Sequence, residues 1–123
     1  MSLMYTSHLG VYRTDLVREV GMLREGFEGA QDYDLTLRIT EKTSRIGHIA
    51  KILYHWRERS ESTSVNAMTK PYVLEAQKKA KEEALSRRGL KGNVEFVKEA
   101  VQFRVNYIPV QQNLISIIIP SKV

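Results

Sequence analysis

The chain has 123 residues, 42% of them hydrophobic and 27% charged, enough for one small domain and an ordinary globular mixture rather than a disordered one. It contains no cysteine, which excludes disulfides and thiolate metal sites, and no run near the ~20 apolar residues that a membrane helix needs. Nineteen Lys and Arg against 14 Asp and Glu leave a formal charge of +5, but these residues are spread along the chain and are not interleaved with aromatics on one face, so nucleic acid is not an expected partner.

The N-terminus lacks a basic region followed by an apolar core, so no signal peptide is read. A cytoplasmic setting is expected, with the inner face of the cell membrane open to a parent protein.

Taken in chain order, Thr14 to Val20 predicts a first helix. Thr14 suits its cap, Asp15 its positive end and Gly21 its left-handed stop. Arg24-Glu25-Gly26-Phe27-Glu28-Gly29 carries two glycines and a bulky aromatic, the composition of a loop folded over something. Asp32 opens a second helix, with Leu35, Ile39 and, on the flank, Leu37 as its apolar stripe. Arg45 to Ile49 and Ile52 to Arg57 are then predicted strands, and Arg59 to Ser64 a polar loop.

Lys70 to Arg88 is the longest periodic segment. Pro71 suits its first turn, Gly89 its stop, and Tyr72-Val73, Ala76, Ala80 and Ala84-Leu85 its buried stripe. Its basic residues Lys78, Lys79, Lys81, Arg87 and Arg88 sit among Glu75, Glu82 and Glu83 and predict a solvated face. Strands are predicted at Val94 to Val97 and Val101 to Ile108. A linker from Val110 to Asn113 leads into Leu114-Ile115-Ser116-Ile117-Ile118-Ile119, five apolar residues among six. That run describes a strand buried on both faces of a parallel sheet. It reads as the first strand of a following domain, or else as a terminal strand docked on this domain's own sheet.

Two groups of residues carry possible chemistry. Asp32 follows a glycine-rich loop and begins a helix, a position that presents a carboxylate at a cleft and suits a general base; a helix cap is the plain alternative. His55 and Arg57 stand at i and i+2, so on a strand they share a face where imidazole can ligate a divalent cation and guanidinium can fork onto phosphate; a structural histidine is the alternative. His8 and His48 have no ligand-type partner at useful spacing, and the sequence holds no H-E-x-x-H, P-loop or G-x-G-x-x-G.

Glu28-Gly29-Ala30-Gln31-Asp32-Tyr33-Asp34-Leu35-Thr36-Leu37-Arg38 resembles the "G-x-E/Q-D-x-D-L-x-L-R" segment of family-2 inverting glycosyltransferases with the GT-A fold. Val11-Tyr12-Arg13 through Val20-Gly21 is similar to the family's preceding "Y-R-x-x-L-V-x-x-V-G-G-F" stretch. Ile49-Ala50-Lys51-Ile52-Leu53-Tyr54-His55-Trp56-Arg57 is similar to its "I-P-x-x-L-Y-H-W-R", with Ser62 and Ser64 trailing it. Met22 stands in place of the second glycine and Ala50 in place of the proline. The likeness runs from about His8 to Ser64, roughly half the chain.

The resemblance implies that Asp32 is the catalytic base on an acceptor hydroxyl. It implies that Gln31, Trp56 and Arg57 serve substrate binding, with Gln31 standing where glutamate is common, and that His55 helps hold a divalent metal, Mn or Mg, in the complete enzyme. It also implies a nucleoside diphosphate sugar as donor, a glycan acceptor, inversion at the transferred sugar, and work in surface polysaccharide synthesis. The family's nucleotide-binding half and its D-x-D metal motif are expected ahead of His8, since Asp32-Tyr33-Asp34 shares that spelling within the acceptor-side motif. Ile115-Ser116-Ile117-Ile118-Ile119-Pro120-Ser121 resembles the opening strand of a second such domain.

The expectation is therefore an α/β (α+β) fragment of an incomplete GT-A domain, with two to three helices, short strands and a terminal buried strand. Residues 1–66 form the acceptor-side part, 67–113 a helical linker with short strands, and 114–123 the first strand of a following domain. Alone it is expected to bind no metal, to transfer no sugar, and to associate with copies of itself through apolar faces left uncovered. A non-catalytic interaction module, in which Asp32 caps and His55 packs, is the competing class.

Overall fold

The structure is a computed structural model, and it describes residues 4, 6, 9–55, 71–110 and 116–120. Three α-helices precede a hairpin: α1 (Thr14–Glu19), α2 (Gln31–Thr40), α3 (Pro71–Arg87), then β1 (Gly92–Val97), a 3-10 turn (Lys98–Ala100) and β2 (Gln102–Tyr107). The sheet among the described residues is two-stranded and antiparallel, so this is a small α+β arrangement.

Helix α1 ends as its glycine predicts. Gly21 has φ +85°, its N–H reaches the Arg18 carbonyl, and the Met22 N–H reaches back to Val17, which together close the last turn. The N-cap, however, is Arg13 and not Thr14; Thr14 is the first helical residue, and the Asp15 carboxylate accepts the Leu16 N–H at 3.0 Å. Gly89, at φ +62°, closes α3 in the same way as Gly21, with Gly89 N–H on Ser86 and Leu90 N–H on Leu85.

Helices α2 and α3 pack on each other, and their contact is the core. Phe27, Tyr33 and Leu37 meet Ala80 and Ala84 there, with Met4 packed partly against them. Two alanines at the crossing let the helix backbones approach, and Ala76 extends that small-residue line. The loop before α2 comes equally close: a Cβ on Gly29 would lie 2.6 Å from Val73 Cγ2 of α3. The burial of α2 is wider than the stripe of Leu35, Leu37 and Ile39, since Tyr33, Asp34 and Arg38 are buried as well.

The hairpin leans on α3. Phe103 is buried, and its ring meets that of Phe96 across the strands at 5.1 Å, where the two residues pair directly. Lys81 overturns the reading of the basic run as fully solvated: it is only 3% exposed, and its Nζ donates to the Phe103 carbonyl. Tyr72, placed in the buried stripe by periodicity, is half exposed because Val73 takes the inward position.

The segment after α2 departs further. Residues 45–49 and 52–55 form no strand, although their composition favours one, because no neighbouring strand among the described residues takes their backbone hydrogen bonds. Residues 116–120 likewise form no strand and are not buried, with Ile118 at 89% exposure. The described part of the expected terminal buried strand, residues 116–119, is thus neither buried nor added to the β1–β2 sheet. Among the described residues no helix is long and apolar enough to cross a membrane.

Candidate functional site

The N-terminal turn of α2 and the loop that feeds it form the candidate site. An α-helix turns by about 100° per residue, so side chains two positions apart point to nearly opposite sides. Asp32 and Asp34 illustrate this: Asp32 is exposed, and Asp34 is wholly buried. One acid of the Asp32-Tyr33-Asp34 triplet thus faces outward while the other faces the core.

Asp32 is the second residue of α2, behind Ala30 at the N-cap, so it is not the capping residue. One of its oxygens accepts the Tyr33 N–H at 2.8 Å, which serves a first-turn amide that has no helical partner. Its other oxygen has no hydrogen-bond partner among the described residues. A fixed, exposed carboxylate at a positive helix end is a chemically usable base. Gln31 is exposed beside it.

Behind this face, Asp34 gathers two arginines. Arg38 donates from Nε at 2.9 Å and from Nη2 at 2.7 Å to one Asp34 oxygen. Arg24 donates from Nε at 3.1 Å and from Nη2 at 2.5 Å, engaging both oxygens. Burial alone would raise the Asp34 carboxyl, but the hydrogen bonds from Arg24 and Arg38, with their charges, hold it below its ordinary value.

The same guanidinium groups reach into the 20–30 loop. Arg38 donates to the carbonyls of Val20 and Met22, the latter at 2.7 Å. Arg24 donates to Glu83 of α3 at 2.8 Å and lies over the buried Phe27 ring, 4.3 Å from its centroid. Lys79 of α3 lies over the same ring at 4.5 Å. The aromatic that composition placed in a folded-over loop is therefore a core residue beneath two cations.

His55 lies on the exposed 44–55 segment, and no hydrogen bond or ion pair joins it to Asp32 among the described residues. The predicted shared face of His55 and Arg57 required a strand, and residues 52–55 are not one. Trp56 and Arg57 lie outside the described residues, as does His8. Among the described residues no group of three or more His, Cys, Asp or Glu side chains could hold a metal ion. His55 by itself does not make a cation site among the described residues.

Sequence reading missed the Asp34, Arg24, Arg38 and Glu83 cluster. An acid and an arginine at i and i+4 were visible as Asp34 and Arg38, but that spacing equally describes an exposed pair. Arg24 and Glu83 are 59 positions apart, and only the fold brings them together.

This chain resembles a stretch of an O-antigen biosynthesis protein. RfbC of Myxococcus xanthus, which bears that name, is 40% identical over 118 residues, covering 96% of this chain and 9% of its own length. An uncharacterised protein of Sinorhizobium fredii, y4gI, is 46% identical over 122 residues, covering 96% of this chain and 13% of its own. The chain thus spans about a tenth of the length of the curated relatives it matches. No family model and no solved structure matches it.

Proposed function

We propose that this chain is the acceptor-side part of an inverting glycosyltransferase that moves a sugar from a nucleoside diphosphate sugar to an acceptor hydroxyl during surface polysaccharide synthesis. The observation that carries the reading is Asp32, an exposed carboxylate fixed at the start of α2 beside a buried Asp34, within the segment that resembles the family's acidic motif. The likeness to a protein named for O-antigen biosynthesis supports the same pathway class, and it runs through α2, α3 and the hairpin alike.

The chemistry asked of Asp32 is simple. Its free oxygen takes the proton of an acceptor hydroxyl held ~2.6–3.2 Å away, as that hydroxyl oxygen attacks the anomeric carbon of the donor sugar. The bond from that carbon to the nucleoside diphosphate breaks, the diphosphate leaves with the electron pair, and attack from the opposite side inverts the carbon. In this reading Gln31, adjacent and exposed, donates to the acceptor. In this proposal Trp56 and Arg57 line the substrate, and His55 with a divalent metal belongs to the donor diphosphate, completed by ligands from elsewhere in a longer polypeptide.

The large apolar side chains of residues 46–54 fit a piece that packs against more protein. Ile46, Ile49, Ile52 and Leu53 are all exposed, with Ile52 at 88%, and such a run is seldom left to water. Self-association of the isolated chain through that surface is part of the proposal, and light scattering reads it.

The deciding experiment is sugar transfer by the longer polypeptide that carries this segment, with a panel of nucleoside diphosphate sugars. Wild-type transfer should be lost by a factor of at least ~100 in Asp32→Asn, which keeps the side-chain shape and removes the base. Equal rates in the two proteins would reject the role of Asp32.

A further inference from the structure

We infer that Asp34 and Arg38 are positioning residues for Asp32: together they clamp the 20–30 loop and thereby fix the first turn of α2. The inference rests on the reading of Asp32 as the base, and it concerns how that base is held.

Four observations carry it. Between α1 and α2 the chain runs without regular structure from Val20 to Ala30, and such a stretch needs outside partners for its backbone groups. Arg38 supplies two of them, at Val20 and Met22, across a turn in which both Gly21 and Met22 hold positive φ. Arg24, in the middle of the loop, is tied to the same Asp34 that orients Arg38. Phe27 and Ala30 are then buried, so the loop is pinned along its length up to the residue before Gln31.

Stability alone is a weak reason for this cluster. Desolvating an aspartate and an arginine costs several kcal/mol per ion, and apolar residues of similar volume often replace such groups without loss. Apolar residues would leave the Val20 and Met22 carbonyls without these donors and Arg24 tied to Glu83 alone. Two carboxylates two residues apart thus have separate tasks: the outward one meets the substrate, and the inward one holds the loop and the turn from which the outward one projects.

The test pairs hydrogen exchange with kinetics in the longer polypeptide, using Asp34→Asn and the milder Arg38→Lys, which keeps the charge but not the fork. In both, amides of residues 20–32 should exchange at least ~10-fold faster while those of the 92–107 hairpin stay unchanged. Transfer should lose at least ~10-fold in kcat with the KM for sugar nucleotide little altered, because misplacement of a base by a fraction of an ångström slows the chemical step. Unchanged exchange in residues 20–32 would overturn the clamp, as would faster exchange with wild-type kcat. Loosening of the hairpin to the same degree would also overturn it, since that marks general unfolding. If Asp32→Asn keeps full activity, the reading of the base fails instead, and the exchange data still report whether the loop is clamped.

Discussion

Asp34 and Arg38 stand one helical turn apart on α2 and are both buried, joined by two hydrogen bonds of 2.9 and 2.7 Å to one carboxylate oxygen. Removing one member of such a buried pair leaves the other charge without its partner. Asp34→Ala should therefore destabilise the protein by about 3–5 kcal/mol. Arg24→Ala should cost about 1 kcal/mol or less, because its side chain is 32% exposed and water recovers much of the interaction. Urea unfolding of the two variants side by side reads the difference, and equal losses would show that Arg24 is not the minor, water-screened partner of Asp34.

The same carboxylate sets an acid dependence. Its folded pKa lies below the ordinary value, so the folded state favours the ionised form. The stability it contributes is complete above the unfolded pKa of about 3.9 and is lost as pH falls from there through the lower folded value. Wild type should lose stability between pH 5 and acid more steeply than Asp34→Asn, whose side chain does not titrate. Parallel acid-unfolding curves would mean that other carboxylates account for the loss.

The elements with local causes were legible in the sequence. Gly21 and Gly89 mark helix ends because both must adopt positive φ, and alanine spacing in α3 marks the side that meets α2. Asp32 was legible as a helix-start acid because acidic side chains are favoured by the local field of a helix's first turn. Lys81 was not, since a lysine on a basic face reads as solvated, and only the hairpin folding back over α3 buries it. Strands were expected at residues 45–49 and 52–57, and residues 45–49 and 52–55 form none for a similar reason: β-branched composition states a preference, while a strand also requires a neighbour. What the sequence could not supply in each case was the identity of the surface opposite.

Glycine at position 29 has a sharper requirement than glycine at 21. Both have positive φ, +80° and +85°, which costs an L-residue roughly 1 kcal/mol. At Gly21 nothing lies within 4 Å of an added Cβ, whereas at Gly29 that atom would sit 2.6 Å from Val73 Cγ2. Gly29→Ala should therefore cost the backbone term plus about 1–3 kcal/mol of overpacking, and Gly21→Ala the backbone term alone. Thermal unfolding should rank Gly29→Ala well below Gly21→Ala. A Val73→Ala change made together with Gly29→Ala should recover part of the overpacking loss, and failure to do so would mean that the loop does not pack on α3 there.

Tyr33 offers a titration that reports on the α2–α3 core directly. Burial disfavours its phenolate and, with a smaller push from Tyr107 that outweighs the opposing pull of Arg88, its pKa is pushed up to about 12. Because the folded value exceeds the unfolded one of about 10, the group contributes stability in full below pH 10 and loses it as pH rises towards 12. Of the six tyrosines, then, Tyr33 should ionise late in an alkaline titration followed by tyrosinate absorbance. Tyr33→Phe should remove that late step and leave the rest of the curve in place. A substitution that opens the helix contact, such as Ala84→Asp, should instead bring the step back towards pH 10. If Tyr33→Phe removes amplitude near pH 10, the ring is not enclosed between α2 and α3, and the core that supports the Asp32 face is packed differently.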